Sequence, residues 1–403
     1  MGVRESNVRA TARSIGIDYA IREVTVPARE LERKGVEIIK LNIGDPNKWD
    51  FKTPPHVRQA LCAAVEECDN GYTESEGVPA LRKALAEKER SKNGIDVTED
   101  DIYITNGVSE SIQNIVAAAV NPGDEVLVPG PSYPSYTEYI KYFDGVPVAY
   151  KTDEENGWQP DLDDIRRKIT DRTKALVVIN PNNPTGALYS EKVLKGITDI
   201  VGQHDMFLMS DEIYDLMTFE GTHKSPATIA PDIPVILFNG FSKVDLLPGW
   251  RMGYSCFRDP DGNLAEIREG FVKQLRLRLS GNYPCQLAVI QALKGPQDHL
   301  AVTRQKLKER GDFAHKRLNE IPGISTTKPK GAFYIFPKIE SDAWKDDMEF
   351  TLDLLREEHV LVVNGSGFDK TYGAGHFRSV FLPKIEILSE AFDRIDHFMR
   401  KRS

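Results

Sequence analysis

Seven short apolar runs, spaced along residues 101–257, leave this chain few ways to fold. They lie at 102–105, 125–128, 147–150, 175–179, 206–209, 235–238 and 252–257, each four to six residues long. Runs this short, rich in Val, Ile and Leu and without polar alternation, read as strands buried on both faces. Segments with helical spacing fit between most of them, at 109–120, 161–169 and 190–202. Strand followed by helix followed by strand needs a crossover, and crossovers generate a parallel sheet. The expected fold class is therefore α/β, with a mostly parallel seven-stranded sheet between helices.

The flanks read differently. Residues 26–34 form an amphipathic segment, 38–43 a strand broken by Gly44-Asp45-Pro46-Asn47, and 57–65 and 79–92 two helices. Beyond residue 295 come a long charged helix at 300–319, strands at 331–336, 360–363 and 376–381, a helix at 349–358 and a last helix from Ile387. This is the pattern of a smaller α+β domain. The expected division is 1–50 for an N-terminal arm with part of the small domain, 51–295 for the large domain and 296–403 for the small C-terminal domain; 403 residues suit two such units.

Charge and cysteine usage narrow the function. A formal charge of −9 argues against a nucleic-acid partner, which needs a basic stripe. No apolar run reaches the length of a membrane span. Cys62, Cys68, Cys256 and Cys285 form no CxxC pair, and the eight histidines include no HExxH. Reduced thiols in a cytoplasmic protein, without a dedicated metal site, are the expectation. Met1-Gly2-Val3-Arg4-Glu5-Ser6 fits a myristoylation pattern, but that pattern fixes only a glycine and a hydroxyl, so chance explains the match.

In an open α/β sheet, ligands bind beyond the carboxyl ends of the strands. After the run at 102–105 comes Asn106-Gly107-Val108-Ser109-Glu110, opening a helix whose N-terminus can hold an anion, although this stretch taken alone favours Ser109 as a simple N-cap. After 125–128 comes Pro129-Gly130-Pro131-Ser132-Tyr133-Pro134, which holds Tyr133 where its ring could stack on a flat ligand. After 175–179 comes Asn180-Pro181-Asn182-Asn183-Pro184-Thr185-Gly186, more turn chemistry than a turn needs and a way to aim an amide. After 206–209, Ser210-Asp211-Glu212-Ile213-Tyr214 puts a carboxylate at the end of an apolar strand, where it needs a cation. After 235–238, Gly240-Phe241-Ser242-Lys243 is followed by Arg251, eight positions past the lysine. No Walker A or GxGxxG motif follows any strand, so a nucleotide is not the favoured anion. Together these parts describe a flat, phosphorylated, cationic aromatic aldehyde, pyridoxal 5′-phosphate (PLP).

The motifs at Asn180–Gly186, Ser210–Tyr214, Ser242-Lys243 with Arg251, and Gly331-Ala332-Phe333-Tyr334 resemble those of the fold-type I, class I/II aminotransferases, in order and spacing. The resemblance runs from about Tyr19 to the end. Within that family it is closest to the alanine (glutamate–pyruvate) aminotransferases of bacterial and archaeal type, on segments such as Leu41-Asn42-Ile43-Gly44 and Trp158-Gln159-Pro160-Asp161. One departure is Val244-Asp245-Leu246-Leu247, where relatives often carry Thr-Tyr; this questions the wall beside the lysine.

The resemblance implies a role for each residue. Lys243 would join the cofactor aldehyde covalently. Asp211 would pair with the pyridine nitrogen, Asn183 and Tyr214 would bind the ring hydroxyl, and Tyr133 would stack on the ring. Val108, Ser109, Ser242 and Arg251 would hold the phosphate. Tyr72 would reach the phosphate in a neighbouring subunit, which implies a homodimer with shared sites. Arg378 would bind the substrate α-carboxylate with help from Gly44 and Asn183, and Arg22, in Tyr19-x-Ile21-Arg22, is a candidate for a distal carboxylate. The implied reaction is ping-pong transfer of an amino group between an L-amino acid, with alanine expected, and a 2-oxo acid, with 2-oxoglutarate expected. The rivals are an aspartate or aromatic aminotransferase, a PLP-dependent carbon–sulfur lyase using the same electron sink, and a PLP-sensing regulator, for which the chain leaves no room for a DNA-binding domain.

Overall fold

The computed structural model describes residues 9–18, 20, 24–67 and 70–402. Strand β1 (Ile39–Lys40) precedes the eight strands of the main sheet: β2 (Ile102–Thr105), β3 (Glu125–Gly130), β4 (Val146–Asp153), β5 (Gln159–Pro160), β6 (Thr173–Ile179), β7 (Phe207–Asp211), β8 (Val235–Gly240) and β9 (Gly253–Arg258). Their order across the sheet is β2-β9-β8-β7-β6-β3-β4-β5. Strands β4, β3, β6, β7 and β8 are mutually parallel. Strand β9 is antiparallel to both β8 and β2, so β2 runs with the parallel set. The carboxyl ends of β2, β3, β6, β7 and β8, and the start of β9, therefore share one edge.

The seven apolar runs all form strands of this sheet. The eighth, β5, corrects the expected seven: it pairs antiparallel with the end of β4 through Thr152 and Pro160. Two residues, one of them proline, carry no readable periodicity. Alternate strand residues face opposite ways and find different partners. Ile104, Leu176, Val178, Leu208 and Leu237 pack with Leu81, Leu85, Leu194, Ile197 and Val289, from helices Pro79–Lys88, Glu191–Gly202 and Tyr283–Lys294. Tyr103, Val126, Val177, Met209 and Phe238 pack with Ile112, Ile115, Tyr136, Ile140 and Phe271, from helices Val108–Ala119, Pro134–Tyr142 and Ala265–Arg278. Both faces are dry, which is why the strands read as continuous apolar runs.

The remaining strands are β10 (Ile324–Ser325), β11 (Tyr334–Ile335), β12 (Lys338–Ile339), β13 (Val360–Leu361), β14 (Val363–Asn364) and β15 (Phe377–Val380). Strand β15 lies between β11 and β14, and β1 pairs in parallel with β13. Helices Asp298–Asn319, Asp347–Glu358 and Ile385–Lys401 cover them, with Leu318, Leu354, Phe392 and Phe398 in one apolar cluster. The expected strand at 360–363 is two short strands, and that at 38–43 is only the two residues of β1.

Candidate active site

At the shared sheet edge, Gly107 precedes helix Val108–Ala119 with φ +76°, and no side chain caps that helix. Ser109 is thus inside the first turn and is not the N-cap. Gly107 is required by a close approach as well as by its backbone angle. A Cβ there would overlap the Arg251 guanidinium, meeting its Nη2 and Cζ well inside van der Waals contact. Arg251, itself left-handed at φ +55°, donates from Nη1 to the Pro248 carbonyl at 2.9 Å and from Nη2 to that of Asn106 at 3.4 Å. The helix N-terminus, the Ser109 and Ser242 hydroxyls and Arg251 line one end of a cleft. Backbone N–H groups, hydroxyls and a guanidinium make an anion cradle.

The middle of the cleft holds opposite charges in a dry setting. Asp211 ends β7 and is 4% exposed. Tyr136 Oη donates to its Oδ2 at 2.9 Å, and the Ile213 N–H donates to Oδ1 at 3.2 Å. Burial pushes its carboxyl up to about 6, against those two hydrogen bonds and the pull of Lys243. Lys243 Nζ donates to the Gly44 carbonyl at 2.9 Å and lies 5.4 Å from the centre of the Phe333 ring. Burial brings the Lys243 amine down to about 8; Asp45 opposes the fall, while Arg378 and Arg251 add to it. Both shifts go the way desolvation drives them. A buried carboxylate with a lowered lysine close by suits a ligand that carries a cationic ring and an electrophilic carbon.

Arg378 closes the other end. It lies on β15, 1% exposed, and donates from Nη1 to Asn183 Oδ1 at 3.0 Å and from Nη2 to the Asn42 carbonyl at 2.6 Å. Its guanidinium packs against the rings of Tyr334 and Phe368, 4.6 and 4.8 Å from their centres. Tyr214 Oη and Tyr334 Oη are 2.9 Å apart. Gly44 makes room for that tyrosine, since a Cβ on Gly44 would meet Tyr334 Oη at 2.3 Å.

The cleft, of about 530 Å³, brings together Gly44, Val108, Ser109, Tyr133, Asn183, Asp211, Tyr214, Ser242, Lys243, Arg251 and Arg378. That size and mixture of apolar and convergent polar groups suit a small-molecule site. Tyr72 is not among the lining residues; it is 82% exposed, beside Asn70, Ser280 and Tyr283. Arg22, with Tyr19 and Ile21, lies outside the described residues. The expectation that Val244, Asp245, Leu246 and Leu247 wall the cleft is not met: none of them lines it, all four are buried, and the Leu246 carbonyl accepts a hydrogen bond from Thr53 at 2.6 Å. Sequence reasoning passed over Tyr136 and gave Tyr334 no role. Tyr136 follows Tyr133 by three positions, a helical spacing hidden because the prolines around it read as loop, whereas Pro134 is the first residue of a helix.

The donor set fits PLP: an anion cradle, a buried carboxylate for a ring cation, a lysine amine and an arginine for carboxylate. The family model described as "Aminotransferase class I and II" matches residues 36–395. The chain is 38% identical over 400 residues to the glutamate-pyruvate aminotransferase AlaA of Escherichia coli K12, covering 98% of each chain. It is 39% identical to the alanine aminotransferase of Mycobacterium tuberculosis H37Rv, covering 97% of this chain and 93% of that one. A relative from Thermus aquaticus, named as a probable aspartate/prephenate aminotransferase, is 37% identical over 92% of this chain and 94% of its own length. The solved alanine aminotransferase of Pyrococcus furiosus superposes with a TM-score of 0.96 at 58% identity, over 98% of this chain and 100% of that one. With a family model spanning most of its length and whole-length relatives of this similarity, the chain belongs to the class I and II aminotransferases.

Proposed function

We propose that this chain is a PLP-dependent alanine aminotransferase, exchanging the amino group of L-alanine with 2-oxoglutarate to give pyruvate and glutamate by a ping-pong route. The observation that carries the reading is the convergence of Asp211, Lys243 and Arg378 on one cleft whose far end is an anion cradle. When bound, PLP supplies an electron sink for the pair left behind when the substrate α-proton departs. Asp211 holds a proton on the ring nitrogen and keeps that sink open. Asn183 and Tyr214 orient the ring through its hydroxyl, and Tyr133 supports one face. Val108, Ser109, Ser242 and Arg251 fix the phosphate. Arg378, pre-oriented by Asn183 and the Asn42 carbonyl, takes the α-carboxylate through two parallel N–H groups. Lys243 Nζ would take the substrate α-proton and deliver it to the carbon on the cofactor side of the amino nitrogen, two atoms from the α-carbon; its lowered basicity leaves a neutral amine accessible near pH 8.

Among the described residues, the cations lining the cleft are Lys243, Arg251 and Arg378, all assigned above. A small substrate side chain is met mainly by apolar groups such as Ile43 and Ile213. The distal carboxylate of glutamate is given to Arg22. The assembly on this reading is a homodimer in the cytoplasm, with Tyr72 entering the partner's site; the exposed Tyr72, Leu277 and Leu279 supply an apolar surface for it. The reading takes 51–295 as the large domain, and 1–50 with 296–403 as the small one, a division supported by the pairing of β1 with β13.

Incubation of the PLP-loaded protein with alanine and 2-oxoglutarate tests the reaction. Pyruvate and glutamate in equal amounts, lost in Lys243→Ala, are expected; no turnover of alanine, with a thiol, ammonia and pyruvate released instead from an amino acid carrying sulfur on its β-carbon, would indicate the carbon–sulfur lyase. The Thermus aquaticus relative favours a second reading, aspartate as donor. A substrate panel separates the two, with alanine expected to bleach the cofactor's yellow colour at lower concentration than aspartate.

A further inference from the structure

On that aminotransferase reading, we infer that Tyr334 is a positioning residue with two separable duties: its ring clamps the Arg378 guanidinium, and its hydroxyl sets the donor strength of Tyr214 toward the cofactor ring. Strand β11 carries Tyr334 and pairs antiparallel with β15, which carries Arg378. The guanidinium carbon is 4.6 Å from the Tyr334 ring centre and 4.8 Å from the Phe368 ring centre. Phe368 is itself tied down, because its carbonyl accepts the Ser132 N–H at 3.1 Å and its ring meets Phe336 edge-on. A planar cation packed against two aromatic rings has less freedom to tilt, so its N–H edges stay aimed at a carboxylate.

The hydroxyl has a different task. Tyr214 Oη and Tyr334 Oη lie 2.9 Å apart, both residues 3% exposed. If Tyr214 gives its proton to the ring oxygen of PLP, its Oη is left to accept, and Tyr334 is the donor. Donation into Tyr214 polarises its O–H and strengthens the bond it makes in turn. The charged and titratable groups facing the pair are Asp211, Arg378 and Tyr133. Asp211 accepts from Tyr136 and Ile213, and Arg378 donates to Asn183 and to the Asn42 carbonyl. The glycine at position 44 keeps this contact open.

The test compares PLP-loaded wild type, Tyr334→Phe, Tyr334→Leu and Phe368→Leu in two measurements. One is the pH titration of the cofactor's visible absorbance without substrate; the other is KM for alanine. Tyr334→Phe keeps the clamp and loses the donor, so the spectral midpoint rises by about half a pH unit while KM stays within about twofold. Phe368→Leu opens the clamp only, raising KM about fivefold with the midpoint fixed. Tyr334→Leu does both; should it fail to fold, the other two variants still separate the duties. A Tyr334→Phe midpoint equal to that of wild type, or one that moves together with KM in both single variants, overturns the inference. A wild-type protein that takes up no PLP overturns the aminotransferase reading as well, so the two failures are told apart before any variant is compared.

Discussion

Asp211 shows how one buried group ties stability to chemistry. Its carboxyl is held up at about 6 because burial outweighs the hydrogen bonds from Tyr136 and Ile213. A carboxyl raised in the folded state contributes stability that is full below its unfolded value and lost as pH rises through about 6. Protein stripped of cofactor is therefore expected to carry a burial penalty at pH 7.5 that Asp211→Asn removes. Thermal melts of the two apoproteins at pH 5 and 7.5 check this, with the variant gaining relative to wild type only at the higher pH. On the proposed function the same substitution would remove the anion that keeps a ring proton in place, and should lower kcat by on the order of 100–1,000-fold. Tyr136→Phe deletes the donor to Asp211 Oδ2; a roughly tenfold fall in kcat/KM, about 1.4 kcal/mol, is expected from steady-state kinetics. The Asp211 side of this pair was legible, because an acid at the end of an apolar strand demands a partner. The identity of the partner, 75 residues away on a helix, was not.

The turn from β2 into helix Val108–Ala119 works as a unit with the start of β9. Gly107 lets Arg251 lie against the helix N-terminus, and Gly253 lets the β9 backbone approach Gly107, since a Cβ on Gly253 would be 2.7 Å from the Gly107 carbonyl carbon. Gly107→Ala should cost about 1 kcal/mol for a positive φ and push the guanidinium aside. PLP affinity, followed by equilibrium titration of the absorbance, is expected to fall about tenfold, since a charge-assisted contact is worth about 1.5 kcal/mol. Gly123→Ala provides the comparison. Its φ of +86° carries the same backbone cost, but a Cβ there meets nothing within 4 Å, so PLP affinity should hold. At this scale the strand ends were readable from Gly, Pro and Asn at the close of apolar runs. Which of those ends touch one another depends on strand order and direction, and no local pattern encodes that.

Across the whole molecule, the cleft backs onto a second buried polar layer. Lys88 Nζ binds Glu89, Asp215 and Tyr254, each at 3.0 Å, and Asn239 donates to Asp215 at 2.9 Å. Nearby, burial raises Glu212 to about 8 and Asp245 to about 7. Both carry the same sign as Asp211, so apoprotein stability should decline as pH climbs from 6 to 8. Asp245→Asn is expected to flatten its share, about 1.4 kcal/mol over that interval for a group titrating at its midpoint. Denaturant unfolding at pH 6 and pH 8 measures it. The sequence by itself determined the α/β class, the seven apolar strands and the kind of residue at each strand end, because burial on two faces and turn formation are both local demands on residue type. Tertiary structure alone decided that Arg378 meets Asn183 across 195 residues, that Tyr334 and Phe368 pack against it, and that the segment from Val244 to Leu247 is buried outside the lining of the cleft. Those contacts arise only when strands distant in the chain come side by side in a particular order, and the information that sets that order is spread over the whole core.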